Sequence, residues 1–270
     1  MTIEYETFGA PDSPPVLLIM GFGAQLTLWD QSLCAALADA GYYVIRYDNR
    51  DVGLSTWLDG VESSPPPYSL DDMAADAAGL LDALGIESAH IVGASMGGMI
   101  AQSFAIAYPK RTRTLVSIMS TTGSPTVGQA TPEALAALLS PPPKSRDEAI
   151  ELGVQVSQLI GSPAYPIDDE VLRDRVAAAY DRAFNPAGRA RQLAAIRSQP
   201  DRTEALGNVT APTLVIHGES DPLVTPSGGE ATAVAIPGAQ LKLVPGMGHS
   251  LPPQLFGEIV EDLSKHFSQA

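Results

Sequence analysis

Cysteine is all but missing from this chain of 270 residues. Cys34 stands alone, so no disulfide can form within the chain, and its Ala/Leu-rich surroundings predict a buried, unreactive thiol. Positive charge is scarce as well. Sixteen Lys and Arg face 31 Asp and Glu, and the formal charge of -15 repels nucleic-acid phosphates and anionic lipid headgroups. Neither nucleic acid nor membrane is therefore expected as a partner. No apolar run reaches the roughly 18 residues that a spanning helix needs. The opening Met1-Thr2-Ile3-Glu4-Tyr5-Glu6 lacks the basic stretch and apolar core of a secretory leader, so a soluble, cytoplasmic protein is expected. Histidine is rare too, at four residues, which leaves few candidates for a general base.

What is present is an apolar content of 45%, enough to build a substantial core, distributed in short alternating units. Residues 2 to 8 alternate loosely and suit an early antiparallel strand. Val16-Leu17-Leu18-Ile19-Met20 is continuously apolar, as a central strand covered on both faces should be. Helical spacing from Trp29 to Ala40 leads to a strand at Tyr42 to Ile45, then to the polar loop from Arg46 to Ser55, which is expected to lie near a site while serving mainly as scaffold. Asp48 and Asp51 within it are read as structural rather than catalytic. Ser69 and Asp72 form a capping box for a helix whose apolar residues step by three and four from Leu70 to Leu84. Strands follow at Ile91-Val92 and at Thr114 to Met119. Strands alternating with helices at these lengths imply crossover units and a mainly parallel sheet.

From Thr122 to Gly207 the alternation stops. Helical patterns run from Glu133 to Leu139, Asp147 to Ile160, Glu170 to Phe184 and Arg189 to Ser198, with no strand candidate among them. Two units are expected: an α/β core of residues 1–121 and 208–270, and a helical cap of residues 122–207 over the carboxyl ends of the strands. The sheet resumes at Thr213-Leu214-Val215-Ile216 and at Gln240 to Val244, and an amphipathic C-terminal helix carries Leu255, Phe256, Ile259, Val260, Leu263 and Phe267.

The stretch His90 to Ile100 organises the rest. Gly93-x-Ser95-x-Gly97 between a strand and a helix is the pattern of a nucleophile elbow, where a strained serine needs neighbours without side chains. Alone the pattern is weak, since a chain this rich in Gly and Ser meets it by chance roughly once in six. A serine hydroxyl is protonated at neutral pH, so it needs a base within reach and a third group to orient that base. His90, His217 and His266 are read as structural or surface residues. His249, in the loop Pro245-Gly246-Met247-Gly248-His249 after the last strand, is the candidate base, and Asp221 occupies the equivalent loop after the preceding strand. The order Ser95, Asp221, His249 is the one expected of elbow-bearing hydrolases.

Five segments carry a family resemblance: Leu17 to Gly23, Tyr47 to Ser55, the elbow, His217-Gly218-Glu219-Ser220-Asp221-Pro222, and Pro245 to His249. On these the chain resembles the α/β-hydrolase superfamily, and within it the capped carboxylesterases related to aclacinomycin methylesterase. The resemblance implies an α/β-hydrolase fold with an inserted helical cap, Ser95 as nucleophile, His249 as base, and Asp221 as the carboxylate that orients it. It also implies an oxyanion hole formed by the backbone N–H groups of Phe22 and Met96. The expected chemistry is hydrolysis of small or medium carboxylic esters through an acyl-enzyme, without metal or organic cofactor. The same groups also serve C–C bond hydrolysis and enol-lactone opening in aromatic breakdown, and a non-catalytic ligand-binding protein on this scaffold is the alternative from another class.

Overall fold

The computed structural model describes residues 1–270. Seven strands form one sheet: β1 (Tyr5–Phe8), β2 (Pro15–Ile19), β3 (Tyr43–Tyr47), β4 (Ala89–Ala94), β5 (Thr112–Ile118), β6 (Thr213–Gly218) and β7 (Gln240–Val244). Their order is β1-β3-β2-β4-β5-β6-β7, with β1 antiparallel to β3 and every other pairing parallel. The fold class expected from the sequence is the one observed.

The strand alternation explains the two layers of core. Leu17, Ile19, Ile45, Ile91 and Leu115 point to one face, where helices α2 (Leu70–Ala83) and α3 (Met96–Ala107) cover them. Val16, Leu18, Val44, Val92 and Val116 point to the other, beneath α1 (Gln31–Asp39) and α10 (Phe256–Phe267). Successive strand residues take opposite faces, so a continuously apolar run is what a doubly covered strand requires. Helix α2 begins on the expected capping box: Ser69 Oγ accepts from the Asp72 amide at 3.1 Å, and Asp72 Oδ2 accepts from the Ser69 amide at 2.8 Å. Cys34 is buried, and burial pushes its thiol up to about 12, as an inert core residue requires.

Most element ends shift by one to three residues from the expected ones, and two of the shifts have a clear physical cause. The strand read as ending at Ile45 continues through Arg46 and Tyr47. Arg46 is tolerated there because its neighbour on the edge strand supplies Glu6 as an ion-pair partner, while the Trp29 carbonyl takes another of its N–H groups. Trp29 itself precedes α1 and is buried in the turn before it, so the apolar spacing that included it overran the helix start at the Asp30 cap.

Between β5 and β6 lie α4 (Pro132–Leu138), α5 (Arg146–Ile160), α6 (Asp169–Arg182) and α7 (Pro186–Ser198), with no strand among them, followed by the short α8 (Thr203–Leu206). Helix α9 (Ser227–Ala235) joins β6 to β7. The α4–α7 block is bound to the sheet's carboxyl edge by buried polar contacts. Asp51 and Arg191 form a two-pronged ion pair with distances of 2.7 and 2.8 Å, and Asp48 meets Arg182 at 2.7 Å. Gln192 accepts from the Gly23 amide at 2.8 Å and donates to the Arg50 carbonyl at 2.9 Å. The loop after β3 therefore acts as scaffold, with its carboxylates turned into anchors. No helix is long and apolar enough to cross a membrane.

Candidate active site

Every residue singled out for chemistry follows a strand at the same edge of the sheet. Phe22 follows β2, Ser95 follows β4, Asp221 follows β6 and His249 follows β7. Parallel strands make this possible, because all of their carboxyl ends open on one side.

Ser95 adopts φ 57° and ψ -122°, a region that side-chain-bearing residues rarely enter. Its neighbours hold it there. The Ser95 amide donates to the Ile118 carbonyl at 2.9 Å, and Ser120 Oγ donates to the Ser95 carbonyl at 2.8 Å. The glycines around it are obligatory on steric grounds: a Cβ on Gly93 would lie 2.0 Å from the Gly97 oxygen, and one on Gly97 would lie 2.0 Å from the Ile19 oxygen. Gly21 is less confined but still tight, since a Cβ there would meet that of Ser95 at 3.0 Å. The chain after β2 is thereby brought directly against the serine.

His249 Nε2 lies 2.9 Å from Ser95 Oγ, and its Nδ1 lies 2.7 Å from Asp221 Oδ2. Asp221 is buried, and its other oxygen accepts from the Leu223 and Val224 amides at 2.8 and 2.9 Å. An ionised carboxylate offers only lone pairs, so Nδ1 carries the hydrogen and the Nε2 lone pair faces the serine hydroxyl. The structure thus brings Ser95, His249 and Asp221 together in the geometry of a charge-oriented base and its nucleophile. The Phe22 and Met96 amides are not committed to any hydrogen bond within the fold, and both sit beside the serine, on its own peptide and on the segment packed against it. Two free N–H groups at that position suit a developing oxyanion.

Three contacts escaped the sequence reading. His217 is buried, as a structural histidine would be, yet it donates from Nε2 to the Val224 carbonyl at 2.7 Å and lies 3.5 Å from Asp221 Oδ2. Burial lowers its pKa, with the Val224 carbonyl and the Asp221 charge pulling the other way. His90 and His266 are also buried, and both lie away from this edge, among Tyr42 and Phe267. The second contact is the end of α5. The His249 amide donates to the Ile160 carbonyl at 2.7 Å, the Gly248 amide to Ser162 Oγ at 3.0 Å, and Ser162 Oγ pairs with Ser250 Oγ at 2.7 Å. A Cβ on Gly248 would lie 2.0 Å from the Gly161 oxygen, so the glycine in Met247-Gly248-His249 is what lets α5 reach the histidine loop. The third is Arg189 of α7, whose guanidinium lies 4.7 Å above the Phe22 ring. Only the Gly246-x-Gly248 spacing hinted at any of these from the sequence, by marking a close backbone approach.

Comparison with known proteins gives a coherent picture. A family model described as alpha/beta hydrolase fold matches residues 14–253. Rhodomycin D methylesterase DauP of Streptomyces sp. (strain C5) is 31% identical, with 93% of this chain and 90% of that protein covered. 3-Oxoadipate enol-lactonase 2 of Acinetobacter baylyi is 27% identical over 99% of this chain and 95% of its own. Among solved structures, the meta-cleavage product hydrolase of Pseudomonas fluorescens IP01 superposes with a TM-score of 0.80 at 25% identity, covering 99% of this chain and 94% of that one.

Proposed function

The chain belongs to the α/β-hydrolase family, and from that premise we propose that it is a serine carboxylesterase acting on small or medium esters, with Ser95, His249 and Asp221 as its catalytic residues. The observation that carries the proposal is the unbroken chain of contacts from Asp221 Oδ2 to His249 Nδ1 and from His249 Nε2 to Ser95 Oγ, at 2.7 and 2.9 Å. The similarity to a methylesterase supports the ester as substrate.

The steps follow from this geometry. His249 Nε2 takes the hydroxyl proton as Ser95 Oγ attacks the ester carbonyl carbon, and the carbonyl oxygen becomes an oxyanion between the Phe22 and Met96 amides. Asp221 stabilises the imidazolium and remains ionised. The tetrahedral species collapses with cleavage of the bond to the alkoxy group, which leaves as the alcohol with the proton from His249. Water then attacks the acyl-Ser95 with His249 again as base, releasing the carboxylic acid and restoring the serine. Each step uses groups this chain supplies.

In this reading residues 122–207 form a cap over the serine. The buried Asp51–Arg191 and Asp48–Arg182 pairs hold it down, and the substrate is enclosed rather than taken from a lipid surface. The test is a panel of esters graded by acyl and alcohol size, assayed with native protein and Ser95→Ala. Turnover of short esters, lost in the variant, is expected. A second reading, C–C bond hydrolysis or enol-lactone opening, draws on the similarity to the Acinetobacter enol-lactonase and the Pseudomonas meta-cleavage product hydrolase. Ring-cleavage dienes or enol-lactones turned over in preference to simple esters would favour it. An inert panel would leave a non-catalytic ligand-binding role.

A further inference from the structure

Five arginines of the helices between β5 and β6 pair with carboxylates: Arg146 with Asp181, Arg173 with Glu151, Arg175 with Asp30, Arg182 with Asp48 and Arg191 with Asp51, which leaves Arg189 and the exposed Arg197 of α7 without one. Of these two, only Arg189 is packed against the segment that follows β2, on Phe22 and Gly23. It is half-buried, has no carboxylate within ion-pairing distance, and engages a single internal acceptor, the Leu138 carbonyl, at 3.2 Å from Nη2. A guanidinium has five N–H donors, so most of its hydrogen-bonding capacity is unused, and the remaining nitrogens are open to solvent rather than sealed in the core.

Its position is fixed from two sides. Its charged group lies 4.7 Å over the Phe22 ring, within the range of a cation–π contact. Its stem rests against Gly23, where a Cβ would come within 3.3 Å of Nε. The Phe22 amide has no acceptor within the fold, and Gly21 before it lies against Ser95. The cation therefore stands over the side chain of the residue that offers one of the two candidate oxyanion amides, and Nε and Nη1 have no acceptor within the fold. Burial pulls its pKa below the usual arginine value, yet a guanidinium remains charged at neutral pH, so an anion arriving there meets a permanent, partly desolvated partner.

We propose that Arg189 is a subsite for a carboxylate carried by the substrate, which makes the preferred substrates half-esters of dicarboxylic acids or similar anionic esters. This rests on the esterase reading and narrows it. The surrounding charge strengthens the argument: a protein of net charge -15 repels anionic solutes in general, so selectivity for one of them needs a local cation left unpaired for it.

The experiment compares monomethyl with dimethyl esters of succinic, glutaric and adipic acids, using native protein, Arg189→Met and Arg189→Lys. For the best chain length, native kcat/KM should favour the monomethyl ester, and the monomethyl-to-dimethyl ratio should fall about 10- to 100-fold in Arg189→Met, with most of the change in KM. Arg189→Lys keeps the charge without the fork and should give an intermediate ratio. The subsite is overturned if the native protein turns over these esters with no preference for any monomethyl ester. It is equally overturned if Arg189→Met lowers both members of each pair in proportion, which is the mark of a residue that only supports the fold. Calorimetric binding of glutarate to Ser95→Ala supplies a readout that needs no ester turnover. Glutarate bound by Ser95→Ala and not by Ser95→Ala/Arg189→Met supports the subsite even if methyl esters prove to be the wrong substrates, whereas equal binding by both refutes it.

Discussion

Removing Arg191 should be among the most destabilising single changes away from the sheet. Its guanidinium forks onto both oxygens of Asp51, the two side chains are 3% and 0% exposed, and it also donates to the Val61 carbonyl at 3.0 Å. Arg191→Met leaves a buried carboxylate with the Leu58 amide as its main remaining donor. Breaking one side of such a pair costs about 3–5 kcal/mol. For a chain of this size that corresponds to a fall in Tm of roughly 6–20 °C. Asp51 has φ +67°, a conformation that Asn also tolerates, so Asp51→Asn is the matched neutral partner. The double variant Asp51→Asn/Arg191→Met removes both charges and should recover about 2 kcal/mol of the loss. Burial pushes the Asp51 carboxyl up, but Arg191 and the Leu58 amide outweigh it and hold it below the usual carboxylate range. Its contribution is thus fully present above the unfolded value of about 3.9 and is lost as pH falls through the lower folded value. Thermal and urea melts at pH 7 and in strong acid give all of these quantities. An Arg191→Met protein within about 1 kcal/mol of native, or a double variant no better than the single, would refute the reasoning.

Other outcomes follow from the same structure. His249→Asn or Asp221→Asn should each reduce kcat/KM on p-nitrophenyl acetate by about 10³-fold or more, with little change in Tm. Ser162→Ala leaves the buried Gly248 amide and the Ser250 hydroxyl without their partner, so kcat should fall about tenfold as the histidine loop loosens; unchanged kcat would show that α5 does not hold His249 in place. Burial lowers the pKa of His90 to about 4 and also depresses His217 and His266. Unfolded histidines bind protons more readily, so stability is full above about pH 6.5 and declines as pH falls from there towards 4, His90 alone accounting for at most about 3 kcal/mol. A stability curve flat between pH 7 and 4.5 in melts followed by circular dichroism would contradict this.

The parts of the molecule governed by local pattern could be read from the sequence. Val16 to Met20 announced a doubly covered strand, Ser69 and Asp72 announced a helix start, and Gly93-x-Ser95-x-Gly97 announced a turn whose steric demands the glycine contacts bear out. Their place in the loops after the last two strands pointed to Asp221 and His249, because parallel strands deliver their carboxyl ends to one edge, and chain order agreed. What stayed hidden depends on partners far apart in sequence. Asp51 and Arg191 are 140 positions apart, and Gly248 and Ser162 are 86 apart, so no periodicity relates them. Arg46 looked like the start of a loop because a charge inside a strand is readable only once Glu6 on the neighbouring strand is known. Arg189 resembled any helix-surface cation until the Phe22 ring appeared beneath it.

The most direct measurement is covalent labelling with a fluorophosphonate, located by peptide mass spectrometry. A serine activated by His249 should take up one equivalent on Ser95, at a rate reduced by at least about 10³-fold in His249→Asn. A folded protein that remains unlabelled, or that carries the label on another residue, would contradict the account.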